Sequence, residues 1–467
     1  HVEQRSDDPH CHDQCDAASA QSRVSSLFKH FLSSYPHVSA FYRSAPQYRN
    51  QISIVGGKKA GSDLNTYKLF LEQCFNLLRD GGQCGIVIPS GIYTDLGAKQ
   101  LRTMLFEQTQ VTGLFGIENR RMVFENVDCR FKFVVLTFAK GGRTQRFPAA
   151  FMRHDVAELE HFPARGSIDI SVDLVKRLSP DSLSVMEFKN DFDVRIAEKM
   201  LRFPLLGEEV DGRWKVKFTA EFHMTNDSHL FKNAPGKGRL PLYEGKMIWH
   251  FDHRFAEPRY WVDEKEGRAA LLGRTRDTGQ KLDYQACRLG FRAVASNTNE
   301  RSLVSSVVPA DVFCGNSLLV SKDQTPAGGE LFCATAVINS FVIDAMLRNK
   351  VTTNINMFFI YQLPVPRLTA KDAAFAPIVQ RAARLICTTP EFDDLAREVG
   401  LKSHKAGATE PAERARLRAE LDGLIAHLYG LTEEEFAYIL TTFPLVAQDV
   451  KDAALAAYRD VEKGRIR

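Results

Sequence analysis

Long apolar runs are missing from this 467-residue chain. Nowhere do about eighteen uncharged apolar residues follow one another, which excludes a transmembrane helix of the usual kind. No secretory pattern follows His1, and no internal repeat or long low-complexity tract is present. A strong excess of one charge is also missing: 61 Lys and Arg face 57 Asp and Glu, a net of +4. Any attraction for a polyanion must therefore come from local clustering. The nine cysteines are odd in number and scattered, so no disulfide framework is written here. Cys74, Cys84, Cys287, Cys333 and Cys387 sit among apolar residues, as reduced core thiols of a cytoplasmic protein would. "HCHDQC", His10 to Cys15, could hold a metal, but no second ligand pair at zinc-finger spacing follows it, and a polar leader reads the same way.

What is present is the composition of a globular protein, 44% hydrophobic and 25% charged, long enough for roughly two to four domains. The charge is unevenly spread. Residues 232–301 hold 14 Lys and Arg against 9 Asp and Glu, an excess of 5, so the rest of the chain nets −1. A basic middle segment fits a polyanion partner; a solvated basic surface gives the same count.

Periodicity divides the chain. Residues 1–48 are polar, then aromatic and helical in pattern. Asp63 is a suitable N-cap for the helical spacing of "LNTYKLFLEQCFNLLR", which Gly81-Gly82 ends. "CGIVIPSG" predicts a strand buried on both faces, "TDLGAKQLRTMLFE" a helix, and "VTGLFGI" and "FKFVVLTFA" two more strands. That order predicts the latter part of a mostly parallel α/β sheet over residues 49–145. Only "ENRRMVFENVDCR" joins the last two strands, short enough for them to pair antiparallel. Residues 146–235 read as a connector, 236–368 as a strand-rich basic domain, and 369–467 as helices; "ATAVINSFVIDAMLRNK" reads as a helix within the basic domain.

The densest stretch of chemistry is "YEGKMIWHFDHRF". His250, Asp252 and His253 could be metal ligands, and Glu244 with Lys246 and an upstream Asp227 could be half of a metal-dependent nuclease site. As a strand, the stretch would put His250 and Asp252 on one face and His253 on the other, which does not gather three ligands. The E-x-K tripeptide is common and its P-D element is missing.

Several segments in order suggest a family. "SDLNTYKLFLEQCFNLLRDGGQCGIVIPSGIYTD", "LFGIENRRMVFENVDCRFKFVVLTFAKGG", "HMTNDSHLFK", "LPLYEGKMIWHFDHRF", "GFRAVASNTNERSLVSSVVP" and "NINMFFIYQLPVPRL" resemble adenine-specific DNA methyltransferases of restriction–modification systems. The resemblance is to the large type II branch, where a gamma-class methyltransferase domain is fused to a target-recognition domain. It implies a partial Rossmann-like methyltransferase sheet (latter strands only), then a mixed α/β target-recognition domain and a helical C-terminal region. It also implies S-adenosyl-L-methionine as cofactor and double-stranded DNA as partner, with no membrane involved. In that family a Gly-rich turn, F-x-G-x-G in type, cradles the cofactor, and an N-P-P-Y element clamps a flipped adenine. Neither occurs in these 467 residues: "SAPQY" at 44–48 lacks the Asn and the Pro pair, and "GKG" at 236–238 is a lone G-x-G. With His1 in first place, the chain is expected to be a fragment that begins after the catalytic strand, inactive without the missing methyltransferase or nuclease portion, and without catalytic or metal-binding residues of its own.

By the same resemblance Phe138, at the end of a strand, would stack on the flipped adenine; a core Phe would look no different. Asn65 and Tyr67 read as capping and packing residues, and "NRR" at 119–121 as an exposed turn that could touch the DNA backbone. Asn297, Asn299 and Arg301 are candidates for reading bases, since Asn pairs with adenine and Arg with guanine; a hydrogen-bonded turn is the alternative. Lys246, Arg254, Arg259, Arg274, Arg276, Lys281, Arg288 and Arg292 are candidate phosphate contacts, and Arg292→Ala is expected to flatten the salt dependence of binding. A non-catalytic DNA-binding or specificity subunit is the competing reading.

Overall fold

The structure is a computed structural model describing residues 9–55, 58–60, 64–294, 299–323, 325–348, 355 and 357–466. It divides into two compact units, residues 1–189 and 190–467. The division falls inside the segment read from sequence as a connector.

The first unit opens with helix α1 (Pro9–Ser44) and a small antiparallel pair, β1 (Ser53–Val55) and β2 (Lys58–Ala60). Helix α2 (Thr66–Leu77) starts after Asn65; Asp63 lies outside the described residues. Then come β3 (Gln83–Pro89), α3 (Gly91–Thr94), α4 (Lys99–Gln108), β4 (Thr109–Glu118), β5 (Lys132–Lys140), β6 (Arg146–Arg153), β7 (Ile168–Ser171) and α5 (Val172–Leu178). The sheet runs β3-β5-β4-β6-β7. β4 and β5 pair antiparallel, as their short connection allows, and β5 pairs antiparallel with β3. Within this sheet the described pairings are antiparallel except β4–β6, so the mostly parallel sheet expected from sequence is not what forms. The physical reason is the connections: β4 reaches β5 without a crossover helix, and β5 inserts between β3 and β4. β3 is an edge strand with Val87 exposed, not a strand buried on both faces. The core lies where Leu71 and Phe75 of α2 and Leu101, Met104 and Leu105 of α4 are buried, with Leu114, Val134, Leu136 and Phe138 buried in the sheet.

The second unit starts with α6 (Asp191–Met200) and holds two four-stranded sheets. Its strands are β8 (Lys217–Thr219), β9 (Phe231–Lys232), β10 (Arg239–Tyr243), β11 (Trp261–Asp263), β12 (Arg288–Arg292), β13 (Ser305–Val308), β14 (Phe313–Cys314) and β15 (Leu318–Lys322), with α7 (Glu264–Leu272) after β11. One sheet runs β13-β12-β15-β8, antiparallel throughout; the other runs β14-β10-β11-β9. The helix expected near residue 340 is two helices, α8 (Gly328–Asn339) and α9 (Phe341–Arg348), bent by 54°. Together they are long and apolar, but they are buried within the unit, and no single described helix could cross a membrane. Helices α10 (Met357–Tyr361), α11 (Phe375–Ile386), α12 (Asp393–Glu398), α13 (Pro411–Leu428), α14 (Glu433–Thr441) and α15 (Gln448–Glu462) form the helical C-terminal region. The chain is thus a mixed α/β protein ending in helices.

Candidate nucleic-acid interface

The stretch 243–255 is not a strand. β10 stops at Tyr243, a single helical turn spans Gly245–Met247, and Trp249 and Asp252 close a tight turn around Phe251, whose φ is +59°. That backbone conformation is rare for a non-glycine residue and turns the chain sharply. His250 is buried against the carbonyl of Leu303 at 2.8 Å, and burial holds its pKa well below the ordinary histidine value. His253 is buried against the Phe392 ring, and burial lowers its pKa to about 4. Both are therefore neutral packing groups, and Asp252 instead caps the backbone N–H of Arg254 at 2.8 Å.

The nuclease constellation fails on the same ground. The Glu244 carboxylate is buried and gripped by two hydrogen bonds from Arg259, at 2.7 and 2.9 Å, with Lys246 at 3.6 Å. Asp227 accepts from the backbone N–H of His223. No three His, Cys, Asp or Glu side chains converge on a metal position among the described residues, and the side chains of His10 to Cys15 lie outside them.

The basic candidates separate by environment. Arg268 of α7 organises the loop after that helix: it donates to both oxygens of Asp277, at 2.7 and 2.8 Å, and to the carbonyl of Gln280 at 2.7 Å. This braced loop exposes Arg274, Arg276 and Lys281, which have no ion pair among the described residues. Lys246 is exposed beside Glu244, Arg254 is exposed and paired with Glu391, and Arg259 is exposed but held by Glu244. Arg288 is in a different situation: its side chain is 0% exposed and paired with Glu221, itself 3% exposed, and it donates to the Val312 carbonyl at 2.7 Å. A phosphate cannot reach it in this fold. Arg292 lies over the Trp249 ring at 4.9 Å and donates to the Ile248 carbonyl. It braces the 245–255 turn, and its desolvation lowers its pKa.

The base-reading candidates also divide. Asn297 lies outside the described residues. Arg301 is buried, donates to Asp344 at 2.7 Å and to the Asn339 carbonyl at 2.6 Å, and stacks over Phe341 at 4.2 Å. It belongs to the core and offers no fork to a guanine. Asn299 and Glu300 are exposed, while their carbonyls accept from Arg348 at 2.9 and 3.0 Å. A cavity of about 430 Å³ opens beside them, walled by Trp249, Arg292, Val294 and Leu445.

In the first unit, Phe138 is 1% exposed in the sheet core and offers no ring face to a base. Two exposed aromatics lie beyond the opposite end of the same strand, in the loop 119–131: Phe124 is 44% and Phe131 57% exposed. Sequence reading passed over both, although the flanking Arg120, Arg121 and Arg130 were a signal. Asn119 orders this loop from within, donating to the carbonyls of Phe124 and Val127 at 2.9 and 2.8 Å and accepting from the Phe124 N–H at 3.0 Å. Arg120 pairs with Glu118 and Arg121 with Asp155, so "NRR" is an ion-paired turn.

The residues present do not fit an S-adenosylmethionine site. In the described sheet no strand pairs with the outer edge of β3, and no Gly-x-Gly turn follows any of its strands.

Residues 43–124 match the family described as Eco57I restriction-modification methylase. That segment runs from the end of α1 through β4 into the loop that Asn119 orders. No curated protein matches the chain. Among solved structures, the chain is similar to the type IIG restriction endonuclease BpuSI, at 11% identity over 80% of this chain and 51% of that one, with a TM-score of 0.30. It is also similar to the type IIL restriction-modification enzyme MmeI in complex with DNA, at 12% identity over 85% of this chain and 54% of that one, with a TM-score of 0.38. The chain thus spans about half the length of these two proteins.

Proposed function

We propose that this chain is the DNA-engaging portion of a site-specific N6-adenine methyltransferase of a restriction–modification system. The whole enzyme, not this portion alone, acts in the cytoplasm on double-stranded DNA with S-adenosylmethionine as methyl donor. The observation that carries the reading is the match of residues 43–124 to a restriction-modification methylase family. The loop at 119–131 supports it, because it sets two exposed aromatics among arginines, and base stacking on an aromatic contributes roughly 1–3 kcal/mol. The braced loop carrying Arg274, Arg276 and Lys281 adds phosphate contacts, which set register and affinity rather than sequence choice.

Methyl transfer needs donor and base held in line, an advantage of roughly 7–11 kcal/mol in favourable cases. These 467 residues contain no N-P-P and no F-x-G-x-G. The purified chain is therefore expected to bind duplex DNA in a mobility-shift assay and to transfer no label from radiolabelled S-adenosylmethionine. Label on the DNA would overturn the expected inactivity, and no shift at low salt would overturn the DNA reading. The same missing motifs favour a second reading, a non-catalytic specificity subunit. It would be preferred if a polypeptide supplying both motifs restored no transfer in the presence of this chain.

A further inference from the structure

The segment 299–305 is tied to the α8–α9 bend by an unusual number of buried side chains. Asp344, fully buried on α9, accepts from Arg301 Nε at 2.7 Å, from the Ser302 N–H at 3.2 Å and from the Leu303 N–H at 3.1 Å. One turn further along α9, Arg348 donates to the carbonyls of Glu300 and Asn299. At the end of α8, Asn339 exchanges two 2.9 Å hydrogen bonds with the backbone of Ser305, where β13 begins. Two charged groups and an amide are thus withdrawn from water to fix main-chain atoms. An exposed turn needs none of this, because water satisfies its carbonyls. Burying charge is costly unless every bond is made, and here the return is a fixed backbone.

What that backbone carries to the surface is Asn299 and Glu300, side by side at the rim of the 430 Å³ cavity. Arg292 and Trp249 line the same cavity, and the Arg292 guanidinium, 4.9 Å from the Trp249 ring centre, donates to the Ile248 carbonyl, so this part of the lining is braced as well. The chemistry of the pair is that of base reading in the major groove. An Asn amide matches the N6 and N7 of adenine, and a Glu carboxylate accepts from the N4 amine of cytosine. Asn is short and its two bonds are directional. It discriminates only if its Cα is held to within about half an ångström, which is what a main-chain clamp supplies.

We propose that Asn299 and Glu300 are specificity-determining residues for the DNA target, and that Arg348 and Asp344 are positioning residues that hold them in register. The proposal rests on the DNA reading above. Arg301, Ser302 and Leu303 serve as the clamp's grips and read nothing.

The test is selection from a randomised duplex library with the full 467-residue chain, followed by sequencing of the bound fraction. The parent chain is expected to enrich a motif. Asn299→Ala and Glu300→Ala change exposed side chains and are expected to keep the thermal midpoint, while each loses roughly tenfold or more of base preference at a motif position. Arg348→Ala is expected to blur those same positions with an unchanged salt slope of binding. Arg348→Lys keeps the charge but lacks the fixed guanidinium fork that serves the two carbonyls from separate nitrogens, and is expected to restore those positions only in part. A lower midpoint with all motif positions intact in Arg348→Ala would leave Arg348 a purely structural residue and overturn its positioning role. Motifs identical to the parent's in both Asn299→Ala and Glu300→Ala would overturn the specificity assignment. Absence of DNA binding by the parent is a separate result, and it would remove the DNA reading itself and this proposal with it.

Discussion

Replacing Arg288 with Met separates a buried brace from a DNA contact. In the structure the Arg288 guanidinium is sealed against Glu221, whose second oxygen accepts from the Cys314 N–H at 2.8 Å. Removing the arginine leaves that carboxylate buried with a single backbone partner. Breaking a buried ion pair in this way costs about 3–5 kcal/mol. For a unit of this size each kcal/mol moves the thermal midpoint by about 2–4 °C, so Arg288→Met is expected to lower it by about 6–20 °C. The double variant Glu221→Leu with Arg288→Met removes both charges and is expected to recover most of the loss. Calorimetry reads the midpoints, and a salt titration of DNA affinity at a temperature where both variants are folded reads the second arm. A buried arginine leaves the slope of log affinity against log salt unchanged. A phosphate contact would reduce its magnitude by about 0.9 with stability intact. That pair of results would refute the burial argument for Arg288.

Arg274→Ala, Arg276→Ala and Lys281→Ala together are expected to do the opposite, reducing the salt slope by up to about 2.7 while changing stability by no more than about 0.5 kcal/mol each; an unchanged slope would remove the loop after α7 from the interface. Arg292→Ala, expected from sequence to flatten the salt dependence, is now expected instead to loosen the turn under Trp249, read as a change in tryptophan fluorescence with the slope intact. Burial holds the folded pKa of His253 at about 4, below the ordinary 6.5. The unfolded chain therefore takes up its proton first, and stability falls as pH drops from about 6.5 towards 4, by roughly 3 kcal/mol for this residue. Asp422, raised by burial to about 6, acts in the opposite sense over much of that window. His253→Gln is accordingly expected to flatten the acid side of the stability curve relative to the parent; superimposable curves below pH 6 would contradict the assignment.

The parts of the fold legible in the sequence were those with strong local pattern. The apolar alternation of "VTGLFGI" and "FKFVVLTFA" marked β4 and β5, and their short link suggested the antiparallel pairing that forms. β6 was missed because Pro148 interrupts "RFPAAFMR", and a proline lowers the strand signal even where the pairing tolerates it. "YEGKMIWHF" misled because apolar residues continue past Tyr243 while the backbone leaves the sheet, and no local pattern announces the unusual φ of Phe251. Composition found the basic segment, yet it could not separate Arg288 from Arg274, since partners such as Glu221 lie 67 positions away along the chain. Phe138 and Phe124 differ in the same way: burial is a property of the whole sheet, and no residue type states it alone.

The clamp on α9 has a consequence for how such a protein could change over time. Arg348 and Asp344 hold carbonyl oxygens of residues 299 and 300 and amide hydrogens of residues 302 and 303. A grip on the main chain is indifferent to what the residue displays. Positions 299 and 300 can thus be exchanged among polar side chains with little strain on the scaffold, as type can be reset in a fixed frame. Mutational drift at these two positions would carry a stable protein from one target to another in single steps. Drift at Asp344 would have no such freedom, because every grip it makes would fail at once.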